Sequence, residues 1–201
     1  EHPLIAQFQG EVLEEENLPI KFAGLSQCFR REIGAHGVDT KGLYRMHQFN
    51  KVEQIVLCTP DESWEWHEKL LENAEELWQK LEIPYRVVSV CTGDIGIVAA
   101  KKYDIEAWFA REQKYREVCS ISNCTSYQAA GLNLKYRIGK QGAHDEKKEY
   151  LHTLNATALA TSSRTLRAVL ENFQQKDGSV LLPKALRAYA GFDAIEASKA
   201  R

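Results

Sequence analysis

The spacing of apolar and polar positions changes several times along the chain, and each change marks an element. Residues 20–32 read as a strand and residues 46–57 as a second one. Gly34, Gly37, Asp39 and Gly42 make the stretch between them turn-rich. An antiparallel hairpin closed by a long loop is the most economical pairing. Trp66, Leu70, Ala74, Leu77 and Leu81 then recur every three or four residues until Pro84. That spacing predicts an amphipathic helix whose tryptophan and leucines face the core. Ahead of it, Thr59-Pro60-Asp61-Glu62 has the hydroxyl, proline and glutamate of a capping box.

Residues 85–91 are apolar and β-branched, and residues 103–109 alternate, as strands with two different faces do. Further strands are expected at 115–122, 127–136 and 150–155, with a polar, exposed loop over 137–148. Leu166, Val169, Leu170 and Phe173 predict a helix over 160–174, closed at Asp177-Gly178. Strands outnumber helices and their links are short, so the expected class is α+β: an antiparallel β-sheet flanked by helices.

Composition narrows the function. At 201 residues, 44% hydrophobic and 27% charged, the chain is ordinary for a globular domain and wrong for a disordered one. No apolar run approaches the roughly 18 residues of a membrane span. A count of 26 basic against 28 acidic residues argues against a broad basic nucleic-acid face, though not against a local contact. The five cysteines are scattered without a Cys-x-x-Cys pair, so reduced thiols in a cytoplasmic compartment are expected. Cys119 and Cys124 lack histidines at zinc spacing and are read as small buried side chains. The sole methionine is Met46 and the first residues are Glu1-His2-Pro3, which suggests part of a longer polypeptide.

Around the first long loop, Arg30 and Glu32 alternate on one strand, and Arg45, Phe49, Lys51 and Glu53 share a face of the other. Such a face can be a solvated surface of cross-strand ion pairs. It can also be a ligand site: a flat ring stacks on a base, a carboxylate accepts from an exocyclic amine, and arginines grip phosphate oxygens. Phe49, which a solvated face would not need, and the glycine-bearing loop favour the ligand. No Walker loop or dinucleotide fingerprint accompanies them, so the familiar α/β nucleotide folds do not apply.

The run Cys28-Phe29-Arg30-Arg31-Glu32 through Gly42-Leu43-Tyr44-Arg45-Met46-His47-Gln48-Phe49-Asn50-Lys51-Val52-Glu53 resembles the second motif of class II aminoacyl-tRNA synthetases, in its seryl form. Tyr115-Arg116-Glu117, Ser122-Asn123-Cys124-Thr125, Thr153-Leu154-Asn155 and Leu170-Glu171-Asn172-Phe173-Gln174 are similar to the rest of that catalytic domain, in order, with wording closest to archaeal members. The resemblance implies that residues 1–201 are the greater part of one catalytic domain, incomplete at the N-terminus. Motifs two and three are included; the first motif and the tRNA-gripping arm lie outside. It implies an antiparallel sheet holding bent ATP, activation of L-serine to seryl-adenylate with Mg²⁺, transfer to tRNA(Ser), and a homodimer of the full-length protein. The first motif builds the family's dimer interface, so these residues alone are expected to be poorly active.

Carried over by position, the catalytic residues are Arg30, Arg45 and Arg164. Arg30 would bridge the α-phosphate and the serine carboxylate, Arg45 would hold the outer phosphates, and Arg164 would cover adenine and reach the γ-phosphate. Glu32 would accept from the adenine amine while Phe49 stacks on the ring. Arg31, Met46, Val118 and Cys119 fall on stretches the resemblance assigns to ATP, and Glu117 and Ser120 to ATP and the metal. Serine would be held by Glu1, Arg30, Glu53, Asn155 and Thr157, Glu1 being the last residue of the family's Thr-x-Glu loop. His36 and His47 are read as loop-ordering rather than catalytic. Lys101-Lys102 and the charges of 137–148 are read as solvated.

The third motif departs from the family pattern. Asn155-Ala156-Thr157-Ala158-Leu159-Ala160 stands where Asn-Gly-Ser-Gly-Leu-Ala is usual, and Arg164 comes one residue late. Thr157 and Arg164 therefore need a small insertion between them to serve together. Ala130-Gly131 replaces arginines, and Cys119 and Ile121 replace a serine and a cysteine. These changes keep open a paralogue that binds nucleotide or a partner without charging tRNA, or one that loads a carrier protein.

Overall fold

In a computed structural model of the chain, residues 1–32 and 43–197 are described. Gly34, His36, Gly37, Asp39 and Gly42 lie outside them. The hairpin forms from β2 (Ile20–Phe29) and β3 (Gln48–Cys58), paired in unbroken antiparallel register from Ile20↔Leu57 to Phe29↔Gln48. The first strand ends three residues sooner than its composition suggests, so Arg30 and Glu32 extend beyond the ladder.

Helix α2 (Ser63–Lys80) follows, with the fully buried Trp78 in the last turn of its core face and His67, Leu70, Leu71 and Ala74 along the same stripe. The buried stripe is turned from the expected one. Trp66 and Leu77 lie at its margin, while His67 and Trp78 lie inside because each finds a partner there. The Trp78 indole N–H reaches Cys119 Sγ at 3.3 Å, and His67 Nε2 reaches the Ile121 carbonyl at 3.1 Å. Thr59 and Glu62 do bond, hydroxyl to carboxylate at 2.9 Å. They do not cap the helix, which begins at Ser63 after a turn.

Strands β4 (Tyr85–Ser89), β5 (Lys101–Phe109) and β6 (Lys114–Asn123) meander antiparallel. Residues 127–136 correct the expected strand: Tyr127–Leu132 is a short helix, α3, ended by Asn133 in the left-handed region. Asparagine tolerates that conformation and so stops a helix. Strands β7 (Lys135–Ile138) and β8 (Lys147–Tyr150) pair across the stretch read as an exposed loop. Arg137 there is buried between Glu14 and Glu146, a correction to the reading of these charges as solvated. Burial of a guanidinium requires such partners.

β9 (His152–Leu159) returns through the middle of the sheet, followed by a π-helical turn (Thr161–Thr165) and α4 (Leu166–Phe173). The main sheet has the order β2-β3-β9-β6-β5-β4, every pair antiparallel. A small side sheet joins β1 (Val12–Glu14) in parallel to β7. One face of the main sheet packs on α2 and α4 through Val56, Cys58, Ile105, Phe109, Ile121 and Leu154. The other face begins with Ile55 and Leu57, which pack with Ile5 and Leu134, and opens beyond them into a cleft. This is the expected α+β class. Among the described residues no helix is long and apolar enough to cross a membrane.

Candidate active site

The cleft has a volume of about 330 Å³, within the range of small-ligand sites. Strand alternation puts Phe49, Lys51 and Glu53 on its wall from β3, and Asn155 and Thr157 beside them from β9. Glu53 is 2% exposed; one carboxylate oxygen takes the Lys51 ammonium at 2.7 Å and the Thr157 hydroxyl at 3.1 Å. A buried carboxylate needs both a counter-charge and hydrogen bonds to be tolerated.

At the open end of the hairpin one more rung holds Arg30 in place. Its N–H donates to the His47 carbonyl at 2.9 Å, and a His47 ring nitrogen lies 3.0 Å from its own carbonyl. His47 thus has the ordering role expected of it. The Arg30 guanidinium sits 5.5 Å from the centre of the Phe49 ring and has no carboxylate partner among the described residues. Glu32 has φ +51, uncommon for a residue with a Cβ, and its carboxylate accepts from Arg45 at 3.0 Å. Arg31, between them, is exposed and does not line the cleft. It is the one expected site residue that the fold leaves out.

The opposite wall is made by a β-bulge. Ile105 pairs with Cys119 and Glu106 with Glu117, so Val118 is the extra residue. In a regular strand Glu117 and Ser120, three apart, would face opposite ways; the bulge turns both to the cleft. Ser120 Oγ donates to Asp104 at 2.7 Å and approaches Glu117 at 3.2 Å. Arg164 donates to both the carbonyl and the carboxylate of Glu117, each at 3.1 Å. Burial alone would push the Glu117 carboxyl up, but Arg164, Lys102 and the Ser120 hydroxyl together hold it below its ordinary range. Asp104 moves the other way: burial raises it, with Glu117 adding to the effect, against the Ser120 hydroxyl and Lys102. Val118 and Cys119 border the cleft but are buried in the core, Cys119 Sγ donating to the Ala158 carbonyl at 3.3 Å. Burial raises the Cys119 and Cys124 thiols to about 12, in keeping with inert small side chains.

The late position of Arg164 is accommodated by the π-helical turn at Thr161–Thr165. Such a turn holds one residue more than an α-turn, and Thr157 and Arg164 both line the cleft. Ser162 secures it, its Oγ accepting the Asn50 N–H at 2.8 Å. Glu1 reaches the cleft from helix α1 (His2–Ala6), accepting from Gln128 at 3.1 Å, and Asn155 donates to Cys124 Sγ at 3.4 Å.

Sequence reasoning missed Tyr44, Lys102 and the apolar segment 95–99 along the rim. Lys102, read as solvated, bonds Asp104 at 3.5 Å. Its place two residues from Asp104 on an alternating strand was the available signal. Nothing in the composition of 95–99 distinguishes it from any loop.

Residues 1–173 match the tRNA synthetase class II core domain (G, H, P, S and T). The serine–tRNA ligase of Methanospirillum hungatei is 65% identical over 94% of this chain, and that of Thermococcus sibiricus 57% over 97%. The chain spans 44% and 42% of their respective lengths. The crystal structure of seryl-tRNA synthetase from Pyrococcus horikoshii complexed with ATP superposes with a TM-score of 0.93 at 56% identity, over 99% of this chain and 43% of that one. The cytoplasmic serine–tRNA ligase from Naegleria fowleri, in complex with AMP, gives 0.89 at 42% identity, over 98% of this chain and 46% of that one. The chain therefore belongs to the class II tRNA synthetase core domain family.

Proposed function

We propose that the chain is the greater part of the catalytic domain of a cytoplasmic seryl-tRNA synthetase, which activates L-serine with ATP and charges tRNA(Ser). In the first step a serine carboxylate oxygen bonds to the α-phosphorus, the bond from that phosphorus to the bridging oxygen breaks, and pyrophosphate leaves. The seryl group then passes to a hydroxyl of the terminal ribose of tRNA, releasing AMP. Two anions must meet in the first step, so the site's task is positioning and charge relief rather than proton abstraction.

Arg30, without a carboxylate partner among the described residues, bridges the α-phosphate and the serine carboxylate. Arg45 turns from Glu32 to the outer phosphates, freeing Glu32 to accept from the adenine amine. The pair they break is partly exposed and costs about 1 kcal/mol or less to open. Phe49 and Arg164 enclose the adenine ring, with Arg164 reaching the γ-phosphate and Met46 flanking the nucleotide through its backbone. Glu53, Thr157, Asn155 and Glu1 form the serine pocket. Donors and acceptors set for a hydroxyl reject alanine by leaving buried polar groups unpaired. Threonine is excluded by size. Glu117, held anionic, and the Ser120 hydroxyl are hard oxygen donors that suit Mg²⁺ carried on a triphosphate. When bound, that ion neutralises phosphate charge. The full-length protein acts as a homodimer.

One observation carries the reading: the guanidiniums of Arg30, Arg45 and Arg164 and the Phe49 ring converge on a single cleft whose floor is the buried Glu53. Serine-dependent ATP–pyrophosphate exchange by the full-length protein tests it. Arg30→Ala should slow exchange by about a hundredfold or more. ATP binding without exchange would instead favour a non-charging paralogue, and seryl transfer to a carrier protein rather than tRNA would redirect the second step.

A further inference from the structure

Tyr44 is 5% exposed and lines the cleft. Its hydroxyl donates to the Glu117 carbonyl at 2.9 Å, the carbonyl that also accepts from Arg164 Nη1. That oxygen lies at the bulge, where the ladder register slips past Val118. The phenol ring is also the surface on which Arg164 rests, its guanidinium 4.9 Å from the ring centre. Arg116 and Arg167 approach the same ring at 4.0 and 5.5 Å. Both pair with Glu112, at 2.7 and 2.6 Å, Arg167 also with Glu171, and only Arg164 among the three lines the cleft. Phe109 fixes the ring from its edge, at 5.6 Å and 84°.

We propose that Tyr44 is a positioning residue for nucleotide activation: it pins the bulge carbonyl that orients Arg164 and supplies the face on which the guanidinium lies. A long, flexible side chain rising from a π-helical turn has many conformers to lose on binding. A rigid ring with a fixed donor removes most of them beforehand, and the cation–π contact adds to the preference. Tyr44 also precedes Arg45, so one buried residue ties the arginine at the hairpin end to the arginine after β9. The inference rests on the reading of Arg164 as an ATP-binding residue.

The test is a double-mutant cycle in the full-length protein, with ATP affinity measured by calorimetry for Tyr44→Phe, Arg164→Ala and the double variant. Tyr44→Phe keeps the ring and the fold and removes one hydroxyl. It should weaken ATP about threefold to tenfold, the range of a single positioning hydrogen bond. Arg164→Ala should weaken ATP further, and the double variant should be no worse than Arg164→Ala alone, since the hydroxyl acts only through the arginine. Losses that add fully, or an unaltered affinity in Tyr44→Phe beside a weakened Arg164→Ala, overturn the proposal and leave the nucleotide site standing. An unaltered affinity in Arg164→Ala overturns the assignment of Arg164, and the role of Tyr44 with it.

Discussion

Two buried polar side chains, Glu53 in the cleft and His67 on the core face of α2, meet their burial in different ways. Glu53 was readable because a carboxylate two residues from a lysine, at strand spacing, already announces a paired charge on one face. His67 was not: it sits in the helix run as one more polar residue, yet the fold buries it completely, stacked on Tyr103 with ring centres 5.0 Å apart. Its Nε2 proton goes to the Ile121 carbonyl, and its Nδ1 is buried without a partner among the described residues. A second proton on Nδ1 would bury a cation with no acceptor among the described residues. Burial accordingly lowers the His67 pKa from 6.5, with Lys101 acting in the same sense, against the Ile121 carbonyl and Glu68. In the unfolded chain the ring titrates near 6.5, so the neutral folded form contributes its full stability above that pH and loses it as pH falls below. Unfolding midpoints in urea should therefore drop between about pH 7.5 and 5.5, the range over which an ordinary histidine charges. His67→Gln, which keeps a donor for Ile121, should lessen the drop. An equal drop in both proteins would assign the acid sensitivity to other groups.

At the level of elements, periodicity located strands and helices but not their irregularities, and the irregularities build the site. The bulge at Val118 and the π-helical turn at Thr161–Thr165 each insert one residue into a regular element. Each brings a charged side chain to the cleft that regular geometry would direct elsewhere. A hydrophobic pattern records which face is buried and is silent about an extra residue until two motifs fail to align, as Thr157 and Arg164 did. The run 127–136 went wrong for a related reason. Its apolar residues suit a strand or a short helix, and the left-handed Asn133 decides between them only once the backbone is known. The π-turn yields a direct test. Deleting Ser162 should let it relax to an α-turn, rotating Arg164 by about 100° around the helix axis relative to β9. ATP affinity should then fall as far as in Arg164→Ala, with far-ultraviolet circular dichroism unaltered. Retained affinity would mean that the extra residue is not what aims the arginine.

Across the whole molecule, pairings between strands consecutive in sequence, such as β2 with β3 and β5 with β6, were within reach of local sequence, while the order of the sheet was not. β9 inserts between β3 and β6, joining segments a hundred residues apart, and no local pattern encodes that neighbour. The same insertion makes the cleft a property of the entire sheet: its walls come from β3, β6 and β9, with Arg30 and Arg45 at one end of the hairpin and Arg164 beyond the last strand. A ligand that touches all of them can be held only by the assembled fold, so its binding free energy is added to that of folding. For the full-length protein, ATP at a hundred times its dissociation constant should stabilise the folded state by about 2.7 kcal/mol. The gain would be read as a rise in the urea midpoint, and Arg30→Ala or Phe49→Ala should diminish it. GTP should give much less. At the ring position where adenine offers an amine, guanine presents a carbonyl, and two acceptors would then face each other at Glu32. Equal stabilisation by the two nucleotides would remove Glu32 from base recognition. No stabilisation by ATP would remove the nucleotide from the cleft.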